Sequence, residues 1–460
     1  MDYDVLILGG GIVGCAVAYE LSKYNFNIAL IEKNYDIVDD TSFINTSVIY
    51  DGSETCNDVM ATLELGGSNL IKEACKKFNV EYKNIGSLRV AYTNEEEDRI
   101  KELYNNSLKK GIRQISLVSK EEIKEIEPNL KSGYKMGLYS KNVALINPYE
   151  LAISYGEVAS DNGVNFRFDE EVINIEKNKK GFKVTTNKNK FSCRIVINTV
   201  LSDINLQDKE VSKSFRVMNY FIIDQNMKNS LNNIVINESS EDKFIMNIPN
   251  LQGGNIIAIK DKSELDVHER IEMSKKLIND IDQKYLCINF TNKKNNLMII
   301  DDRELENGYI KVTGSHYAKV TLAPAIARAI ADSVTEQSNV TLKKDFVDRR
   351  RQFYRFKDMT NNERNELISL DKRYGNVICI CNQVTEGEIV DSIRRPLGAR
   401  TVEGVKKRTG AGLGNCFGTY CSRKIIKILA KEMDKMPTEI VEDSKESKIW
   451  VSRIKEFDEV

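Results

Sequence analysis

The sequence carries almost no net charge, no long apolar run and only two histidines. Its 460 residues contain 67 lysines and arginines against 68 aspartates and glutamates, which gives a net charge of -1. A chain so close to neutrality lacks the basic surface that general binding to nucleic acid or to an anionic membrane requires, so we expect neither partner. No stretch approaches the roughly 18 apolar residues of a membrane-spanning helix, so we expect no transmembrane segment.

The first residues also lack the basic flank of a secretory signal. The apolar run from Val5 to Ala18 is interrupted by glycines and follows Asp2 and Asp4, whereas a signal peptide would carry Lys or Arg there. We therefore expect a cytoplasmic protein, in which cysteines stay reduced. Clustered cysteines then predict metal ligands or redox groups rather than disulfides.

A glycine-rich turn follows the first predicted strand. An apolar strand at 4–8, the turn, a helix at 15–24 and a second strand at 27–32 form the pattern of a βαβ unit. Gly9 permits the tight turn, Gly11 lets a pyrophosphate approach the backbone, and Gly14 lets helix and strand pack closely. Glu32 ends the second strand, where a carboxylate binds a ribose diol. The predicted nucleotide contacts are Gly9, Gly11, Ile12, Val13, Gly14, Glu32 and Lys33.

The turn by itself leaves three alternatives open: an FAD site, an NAD site, or a glycine-rich turn in an α/β domain without a ligand. Four further segments resemble motifs of the D-amino-acid-oxidase-like FAD superfamily, namely 41–52, 86–91, 146–150 and 321–327. Over residues 3 to 340 the chain is most similar to the FAD-dependent glycerol-3-phosphate dehydrogenase and 2-hydroxyglutarate oxidase branches. The resemblance implies FAD as the cofactor. It adds as FAD contacts Thr41, Ser42, Asn45, Val172, Gly314, Val320 and Thr321, with Val172 facing the adenine and the loop 314–321 along the flavin pyrimidine ring.

The chain departs from these branches at three places. Tyr50 stands where members often carry histidine, and 199–201 reads Thr-Val-Leu where Ala-Gly is usual. Lys319 replaces a glycine of the 2-hydroxyglutarate-oxidase-like loop, although 319–321 resembles the Lys-Leu-Thr of the glycerol-3-phosphate dehydrogenase branch. The resemblance implies that Lys319 stabilises the anionic reduced flavin. The alternative is a solvated surface lysine.

Few residues are candidates for substrate chemistry. His268 lies in a charged stretch and is expected to be exposed, whereas His316 lies in the predicted flavin loop and is the better candidate for a general base. Arg303 and Arg89 are candidates for clamping an anionic substrate. The predicted catalytic residues are Lys319, His316 and Arg303.

Four of the nine cysteines form two close pairs, Cys379-x-Cys381 and Cys416-x-x-x-x-Cys421. Four thiolates suit either zinc or an iron-sulfur cluster, although a C-x-C pair does not match the usual zinc spacing. The surrounding segments 384–389 and 404–414 resemble the bacterioferritin-associated-ferredoxin-like [2Fe-2S] domain, which implies that these four cysteines hold a [2Fe-2S] cluster. The basic residues near it are either a site for an acidic electron partner or a solvated face: Arg394, Arg395, Lys406, Lys407 and Arg408.

These features together predict an α/β protein. We expect a Rossmann-like FAD-binding domain with an antiparallel-sheet substrate domain over 1–345, and a small C-terminal [2Fe-2S] domain over 375–433. The FAD-binding parts are expected at about 1–75, 140–205 and 296–345, and the substrate parts at about 80–140 and 206–295. A polar linker over 346–374 and an acidic tail over 434–460 complete the expected organisation.

The function implied is an FAD-dependent dehydrogenase that oxidises a small anionic alcohol, either glycerol 3-phosphate or a 2-hydroxy acid. Its electrons would pass from the flavin to the [2Fe-2S] cluster and on to an electron-accepting subunit or carrier. Two alternatives stay open. One is an amine or amino-acid dehydrogenase of the same superfamily, and the other, suggested by the departures at 50 and 199–201, is a non-catalytic electron-transfer or regulatory subunit.

Overall fold

The computed structural model describes residues 1–38, 47–55, 57–200, 216–223, 230–240, 243–251, 254–261, 264–279, 281, 286–294, 298–314, 316–414 and 416–450. Its strands in chain order are β1 (Tyr3–Leu8), β2 (Ile28–Ile31), β3 (Val48–Ile49), β4 (Tyr82–Asn84), β5 (Ser87–Ala91), β6 (Ile115–Ser119), β7 (Met136–Ser140), β8 (Ala144–Ile146), β9 (Asn165–Arg167), β10 (Val172–Asn178), β11 (Gly181–Thr186), β12 (Lys190–Asn198), β13 (Arg216–Ile223), β14 (Ile234–Ser240), β15 (Lys243–Pro249), β16 (Asn255–Asp261), β17 (Leu286–Lys294), β18 (Met298–Asp301), β19 (Tyr309–Gly314), β20 (Val377–Cys379) and β21 (Val384–Thr385).

The helices are α1 (Ile12–Ser22), α2 (Asp58–Phe78), α3 (Asn94–Lys109), α4 (Lys120–Ile126), α5 (Pro148–Asp161), α6 (Val267–Ser274), α7 (Lys319–Ser338), α8 (Asn361–Leu370), α9 (Glu386–Arg394), α10 (Val402–Thr409) and α11 (Ser422–Glu432). In the part of the chain that the structure describes, none of them is both long and apolar enough to cross a bilayer.

The first sheet carries the predicted nucleotide site. Its strand order is β10-β11-β12-β1-β2-β9, and β19 pairs with the C-terminal half of β12. The pairs β12–β1, β1–β2 and β2–β9 are parallel, and β10–β11–β12 form an antiparallel meander. The strands β1 and β2 are buried on both faces, because one face packs on helices and the other on apolar residues of β11, β12 and β19. The Rossmann-like part of the fold prediction is confirmed.

Four helices of this domain pack together, and two of them approach very closely. The helix α1 packs against α5 and α7, and α2 packs on α7. A side chain at Gly67 of α2 would place its Cβ 1.9 Å from the carbonyl oxygen of Thr321 in α7. Only glycine therefore permits α2 to lie at the beginning of α7, where the predicted flavin loop ends.

The second sheet has the order β17-β13-β16-β15-β14-β5-β7-β6 and is antiparallel except between β14 and β5. It confirms the expected antiparallel-sheet substrate domain and has its own apolar core. The helix α6 of this domain ends at Ser274. Beyond it Leu277 and Ile278 continue the apolar pattern in a turn that pairs with Leu130, and both side chains are buried.

The C-terminal module holds the hairpin β20–β21 and the helices α9, α10 and α11 around a separate core. The segment expected as a linker contains the helix α8, which a Thr360 capping box starts. Residues 434–450, expected as part of an acidic tail, pack on the module. Ile440 is buried, and the amides of Val402 and Glu403 donate to the carbonyl oxygens of residues 441 and 442 at 3.1 and 2.8 Å.

Buried ion pairs hold this module against the first domain. Glu157 of α5 accepts hydrogen bonds from Arg350 of the linker at 2.7 Å and from Arg395 of the module at 2.6 Å. Although burial raises it, the pKa of Glu157 stays below its usual range because these two arginines stabilise the carboxylate. On the other side of the interface Arg408 forms a bidentate pair with Asp36 at 2.6 and 2.7 Å.

The five basic residues that the sequence singled out in this module all bind partners within the chain. Arg395 and Arg408 fix the interface, and the Lys407 ammonium donates to the carbonyl oxygen of Val38 at 3.3 Å. Arg394 pairs with Glu432, and Lys406 pairs with Glu403 and Glu442. Neither interpretation made from the sequence, a partner site or a solvated face, describes the buried arginines, because their carboxylate partners lie far away along the chain.

Candidate active site and cluster site

The glycine turn has the geometry that a dinucleotide needs. Gly9 has φ of +99°, in the left-handed region that favours glycine, and its amide donates to the carbonyl oxygen of Ile31 at 2.9 Å. A Cβ at Gly14 would lie 2.0 Å from the carbonyl oxygen of Gly9, so α1 and β1 pack in contact there. A Cβ at Gly11 would meet no atom within 4 Å. The turn is therefore tightly packed on its inner side and open at Gly11.

The helix α1 begins at this opening. Its N-cap is Gly11, which has no side chain, and its first turn has no acidic residue, so the partial positive charge of the helix N-terminus is not offset. Ile12 and Val13 are the first two helical residues and are buried. A pyrophosphate fits this arrangement both sterically and electrostatically.

Glu32 lies directly beside the turn, at the end of β2. Its carboxylate accepts hydrogen bonds from the amide of Gly10 at 2.6 Å and from the amide of Asn34 at 2.9 Å. These bonds fix the carboxylate at the edge where a ribose diol would lie. Lys33 beside it is exposed, and Val172 is half-buried in the edge strand β10. Thr41, Ser42 and Asn45 lie outside the described residues.

The unusual Thr199 supports the turn rather than obstructing it. Its amide and hydroxyl both donate to the carbonyl oxygen of Leu8, at 2.9 and 2.8 Å. Its hydroxyl oxygen would lie 2.9 Å from a Cβ at Gly9. A threonine here therefore occupies the space that the glycine leaves, and the departure from the usual Ala-Gly leaves the opening at Gly11 unchanged.

The predicted flavin loop ends at the N-terminus of α7. Gly314 has φ of +122°, and Lys319, Val320 and Thr321 are the first residues of the helix. The Thr321 hydroxyl accepts a hydrogen bond from the amide of Tyr50 at 3.1 Å. Lys319 is only 9% exposed, so it is not a solvated surface lysine. Its role as a flavin contact stays a prediction.

The side chain of His316 is buried and packs on the ring of the next residue, Tyr317, with ring centroids 4.3 Å apart. Its Nδ1 accepts a hydrogen bond from the amide of Ala318 at 3.2 Å. Burial lowers the pKa of His316 to about 4, so the ring is neutral at pH 7. A neutral ring whose Nδ1 accepts a bond carries its proton on Nε2. His316 is thus arranged to donate a hydrogen bond through Nε2 rather than to accept a proton there.

A buried carboxylic acid that the sequence reasoning missed lies beside this loop. Glu64 of α2 is 0% exposed and accepts a hydrogen bond from the Tyr317 hydroxyl at 2.9 Å. Burial raises the pKa of Glu64 to about 8, which the Tyr317 bond opposes and the nearby charges of Glu54 and Asp51 reinforce. Its Oε2 atom has no hydrogen-bond partner in the described part of the chain. A buried acid that titrates near neutral pH is suited to proton transfer.

Tyr50 completes this group. Its buried ring packs edge-to-face on Tyr317 with centroids 4.9 Å apart, and burial raises its pKa well above the usual value. Glu54 raises that pKa further, so the phenol of Tyr50 stays protonated. The group formed by Tyr50, Glu64, His316 and Tyr317 lies where α2, β3 and α7 meet.

Arg89 and Arg303, the two arginines predicted to bind an anionic substrate, differ in burial and in their distance from the flavin loop. Arg89 of β5 is largely buried, and its guanidinium is held by Glu54 and Glu238. A phosphate would have to displace one of these carboxylates. Arg303 has an 84% exposed side chain and pairs with Asp301. Because Met298 lies opposite Gly314 and Asp301 opposite Lys311, Arg303 is at the closed end of the β18–β19 hairpin, away from the flavin loop. The structure therefore does not bring Arg303 to His316 and Lys319.

The two cysteine pairs meet at the end of the C-terminal module. The thiol of Cys416 hydrogen-bonds with Cys381, and this bond lowers its pKa. Burial raises the pKa of Cys421 to about 11, and the charge of neighbouring Cys379 adds to the effect. Within the described ranges no three ligand-type side chains are grouped as for one metal ion. Two pairs of thiols suit a cluster of two irons, each bound by two thiolates, better than a single zinc ion.

Glycine makes the cysteine site possible. A Cβ at Gly414 would lie 2.3 Å from the Cβ of Cys381, and Gly412 and Gly418 have φ of +89° and +81°. The side-chain Nδ2 of Asn382 donates to the carbonyl oxygen of Gly410 at 2.7 Å, which fixes the first cysteine loop against the second. Cys15, Cys75 and Cys193 lie apart in apolar cores.

Comparison with known proteins agrees with both sites. Residues 4–258 match the family model described as FAD dependent oxidoreductase (DAO), and residues 377–431 match the BFD-like [2Fe-2S] binding domain. A glycerol 3-phosphate dehydrogenase of Caloramator mitchellensis is 32% identical over 97% of this chain and 98% of its own length. An L-2-hydroxyglutarate dehydrogenase of Dictyostelium discoideum is 32% identical over 40% of this chain and 42% of its own.

Among solved structures, the dithionite-reduced L-alpha-glycerophosphate oxidase of Mycoplasma pneumoniae with FAD bound superposes with a TM-score of 0.65. It covers 76% of this chain and 99% of its own, at 22% identity. At that identity the similarity establishes the fold alone. The DAO fold extends over the first two sheets, and the [2Fe-2S] domain lies beyond it.

Substitution of Gly11 by valine should abolish FAD binding without unfolding the protein. The new side chain would meet no protein atom but would occupy the space of the pyrophosphate. The measurement is FAD released per chain from the purified, desalted variant, with a thermal melt to check folding. Gly66→Val is the matched control, because Gly66 is also in open space but lies on α2. FAD retained by Gly11→Val would show that the pyrophosphate lies elsewhere.

Anaerobically prepared protein should contain about two irons and two sulfides per chain, as a [2Fe-2S] cluster requires. Replacing any of Cys379, Cys381, Cys416 or Cys421 by serine should remove or disturb the cluster. Cys75→Ala and Cys193→Ala, which change buried cysteines of the first domain, should keep it. Equimolar zinc without sulfide in the unmodified protein would contradict this assignment.

Proposed function

The chain belongs to the DAO family of FAD-dependent oxidoreductases and carries a BFD-like [2Fe-2S] binding domain, and from this premise we propose that it is a cytoplasmic dehydrogenase of glycerol 3-phosphate. Electrons leave it through the [2Fe-2S] cluster to a separate acceptor. The observation that carries the proposal is the relative named glycerol 3-phosphate dehydrogenase, which matches this chain along nearly its whole length, both domains included.

The buried group beside the flavin loop supports alcohol oxidation. When bound, FAD accepts the hydride from the carbon of the alcohol. The alcohol oxygen must lose a proton as that hydride leaves, so the site needs a proton acceptor. We assign that role to Glu64, whose carboxyl has a pKa of about 8 and is in part deprotonated at neutral pH. His316 is placed to orient the substrate oxygen through its Nε2 hydrogen.

Lys319 and the beginning of α7 contribute positive charge on the same side. The helix has no acidic residue in its first turn, and Lys319 is its first residue and is buried. We propose that this charge stabilises the anionic reduced flavin next to Val320 and Thr321. Gly314 permits the loop to turn into that position. Arg89 is retained as the anion-binding candidate, on the condition that substrate phosphate displaces Glu54 or Glu238.

Substrate identity is tested by anaerobic bleaching of the flavin absorbance. Glycerol 3-phosphate should bleach the holoenzyme rapidly, whereas L-2-hydroxyglutarate, glycine and L-proline should not. Rapid bleaching by a 2-hydroxy acid or by an amino acid would replace the proposed substrate while leaving the oxidoreductase assignment intact. A flavin that none of these compounds reduces, although dithionite does, would favour a non-catalytic electron-transfer subunit.

The role of Glu64 predicts a pH dependence. Because its pKa is raised to about 8, the fraction of deprotonated Glu64 grows as pH rises from about 6 to 8, and the rate of flavin reduction should rise with it. Glu64→Gln should reduce that rate at least about 100-fold, as expected for loss of a general base, and remove its dependence on pH. The measurement is anaerobic stopped-flow at saturating glycerol 3-phosphate.

The matched control is Glu73→Gln, which makes the same chemical change at an exposed position of the same helix. It should retain both the rate and the pH profile of the unmodified enzyme. If Glu64→Gln kept the rise in rate with pH, the proton acceptor would be a different group.

A further inference from the structure

Exposed apolar side chains are concentrated around the four cysteines. Five of the fifteen large apolar side chains that are exposed in the described ranges lie within three residues of one of these cysteines. We call these five the apolar patch: Val377, Ile380, Leu413, Phe417 and Tyr420, at 39%, 74%, 46%, 63% and 72% exposure. Scattered apolar residues on a surface are ordinary, but a group of them marks an interaction site.

The two cysteine segments meet in space, so the patch is continuous around the cluster site. Cys416 hydrogen-bonds with Cys381, and Gly414 lies against the same cysteine. Phe417 has φ of +48°, a left-handed conformation that a bulky residue rarely adopts, and its ring still points into solvent. Backbone strain of this kind persists where function requires it.

A stripe of positive charge borders the patch. The helix α11 starts directly after Cys421, and its exposed cations lie within an arc of about 100° at 3.6 residues per turn. We call these four the basic stripe: Arg423, Lys424, Lys427 and Lys431. They form no ion pair with the part of the chain that the structure describes. No acidic residue occurs from 404 to 431, so the stripe is a continuous positive surface that complements a negatively charged partner.

Helix stability does not explain these cations. Arg423 and Lys424 are in the first turn of α11, where the helix dipole favours acidic residues. The opposite face of α11 is apolar and packs into the module through Ile425, Ile426 and Leu429. The helix thus presents charge outwards and has no apolar face left for a lipid surface.

From this arrangement we propose that the apolar patch and the basic stripe together form the docking site for a small acidic one-electron carrier protein. The inference rests on the proposed electron route, in which the reduced cluster gives one electron to the oxidised carrier. Oxidation of one substrate molecule supplies two electrons and therefore reduces two carriers in turn. The patch excludes water around the cluster, and the stripe attracts and orients the carrier.

The test uses two probe carriers that share one haem and differ in surface charge, the basic native cytochrome c and cytochrome c made acidic by succinylation of its lysines. Dithionite-reduced holoenzyme, freed of excess reductant, is mixed with each oxidised probe by stopped-flow at low and at high salt. The rate with the acidic cytochrome should exceed the rate with the native cytochrome at low salt and fall as salt rises, because oppositely charged surfaces attract and salt screens them. Since dithionite supplies the electrons, the result does not depend on the substrate of the enzyme.

Three variants locate the site. Lys427→Glu combined with Lys431→Glu should slow the reaction with the acidic cytochrome about tenfold at low salt and remove its salt dependence. Lys179→Glu combined with Lys180→Glu makes the same change of net charge on the β10–β11 turn and should leave the rate unchanged. Phe417→Asn, which suits the left-handed backbone, should slow the reaction at every salt concentration while iron content stays normal.

Faster reduction of the native than of the acidic cytochrome at low salt, or an unchanged rate with the acidic cytochrome in the Lys427/Lys431 variant, would overturn the proposal. Co-sedimentation of the holoenzyme with phosphatidylglycerol vesicles is expected to be absent. Binding to these vesicles that the Lys427/Lys431 variant loses would assign the surface to a membrane instead and would equally overturn it. Failure of glycerol 3-phosphate to bleach the flavin, by contrast, would count only against the proposed substrate.

Discussion

The buried carboxylate of Glu157 is the interaction on which the relation between the two redox sites depends. It lies in α5, among side chains of the first core, and accepts hydrogen bonds from both Arg350 and Arg395. Removing one partner of a buried ion pair typically costs about 3–5 kcal/mol, because a charge is left uncompensated in the interior. The linker and the cluster module cannot separate from α5 without that cost. The two ion pairs thus hold the cysteine module against the domain that carries the glycine turn.

The same interface reaches the nucleotide site from the other side. Asp36 follows Glu32 by four residues and is held by Arg408, while the amide of Val38 donates to the carbonyl oxygen of Gly10 at 2.9 Å. The loop after β2 therefore lies between the glycine turn and the cluster module. The cysteine module thus stabilises the loop that follows Glu32, whose carboxylate is expected to bind the ribose. This mutual support is a reason for the two domains to occur as one rigid chain rather than as two exchanging proteins.

Local patterns predicted the parts of the fold whose residues are close in sequence. The turn Gly9 to Gly14 lies between β1 and α1 as predicted, because spacing and period determine it. The role of Arg395 and Arg408 was not predictable in this way, since their partners Glu157 and Asp36 are 238 and 372 residues away. From the sequence around it, a basic residue of an interface between domains cannot be distinguished from a basic residue of the solvated surface. Only the fold brings the opposite charges together.

The position of Glu64 in the sequence already indicated a buried acid. It lies on the buried stripe of α2 with Ala61, Ser68 and Ile71, at the helical spacing of apolar residues, and an acid in such a stripe requires a reason. Position 50, where related proteins often carry histidine, holds a tyrosine that cannot accept a proton, because burial keeps its phenol protonated. The proton acceptor that we propose, Glu64, reaches the same space from another element. The helix α2 supplies it because Gly67 lets the helix touch α7, so the glycine that permits close packing is also what brings the carboxyl of Glu64 to the flavin loop.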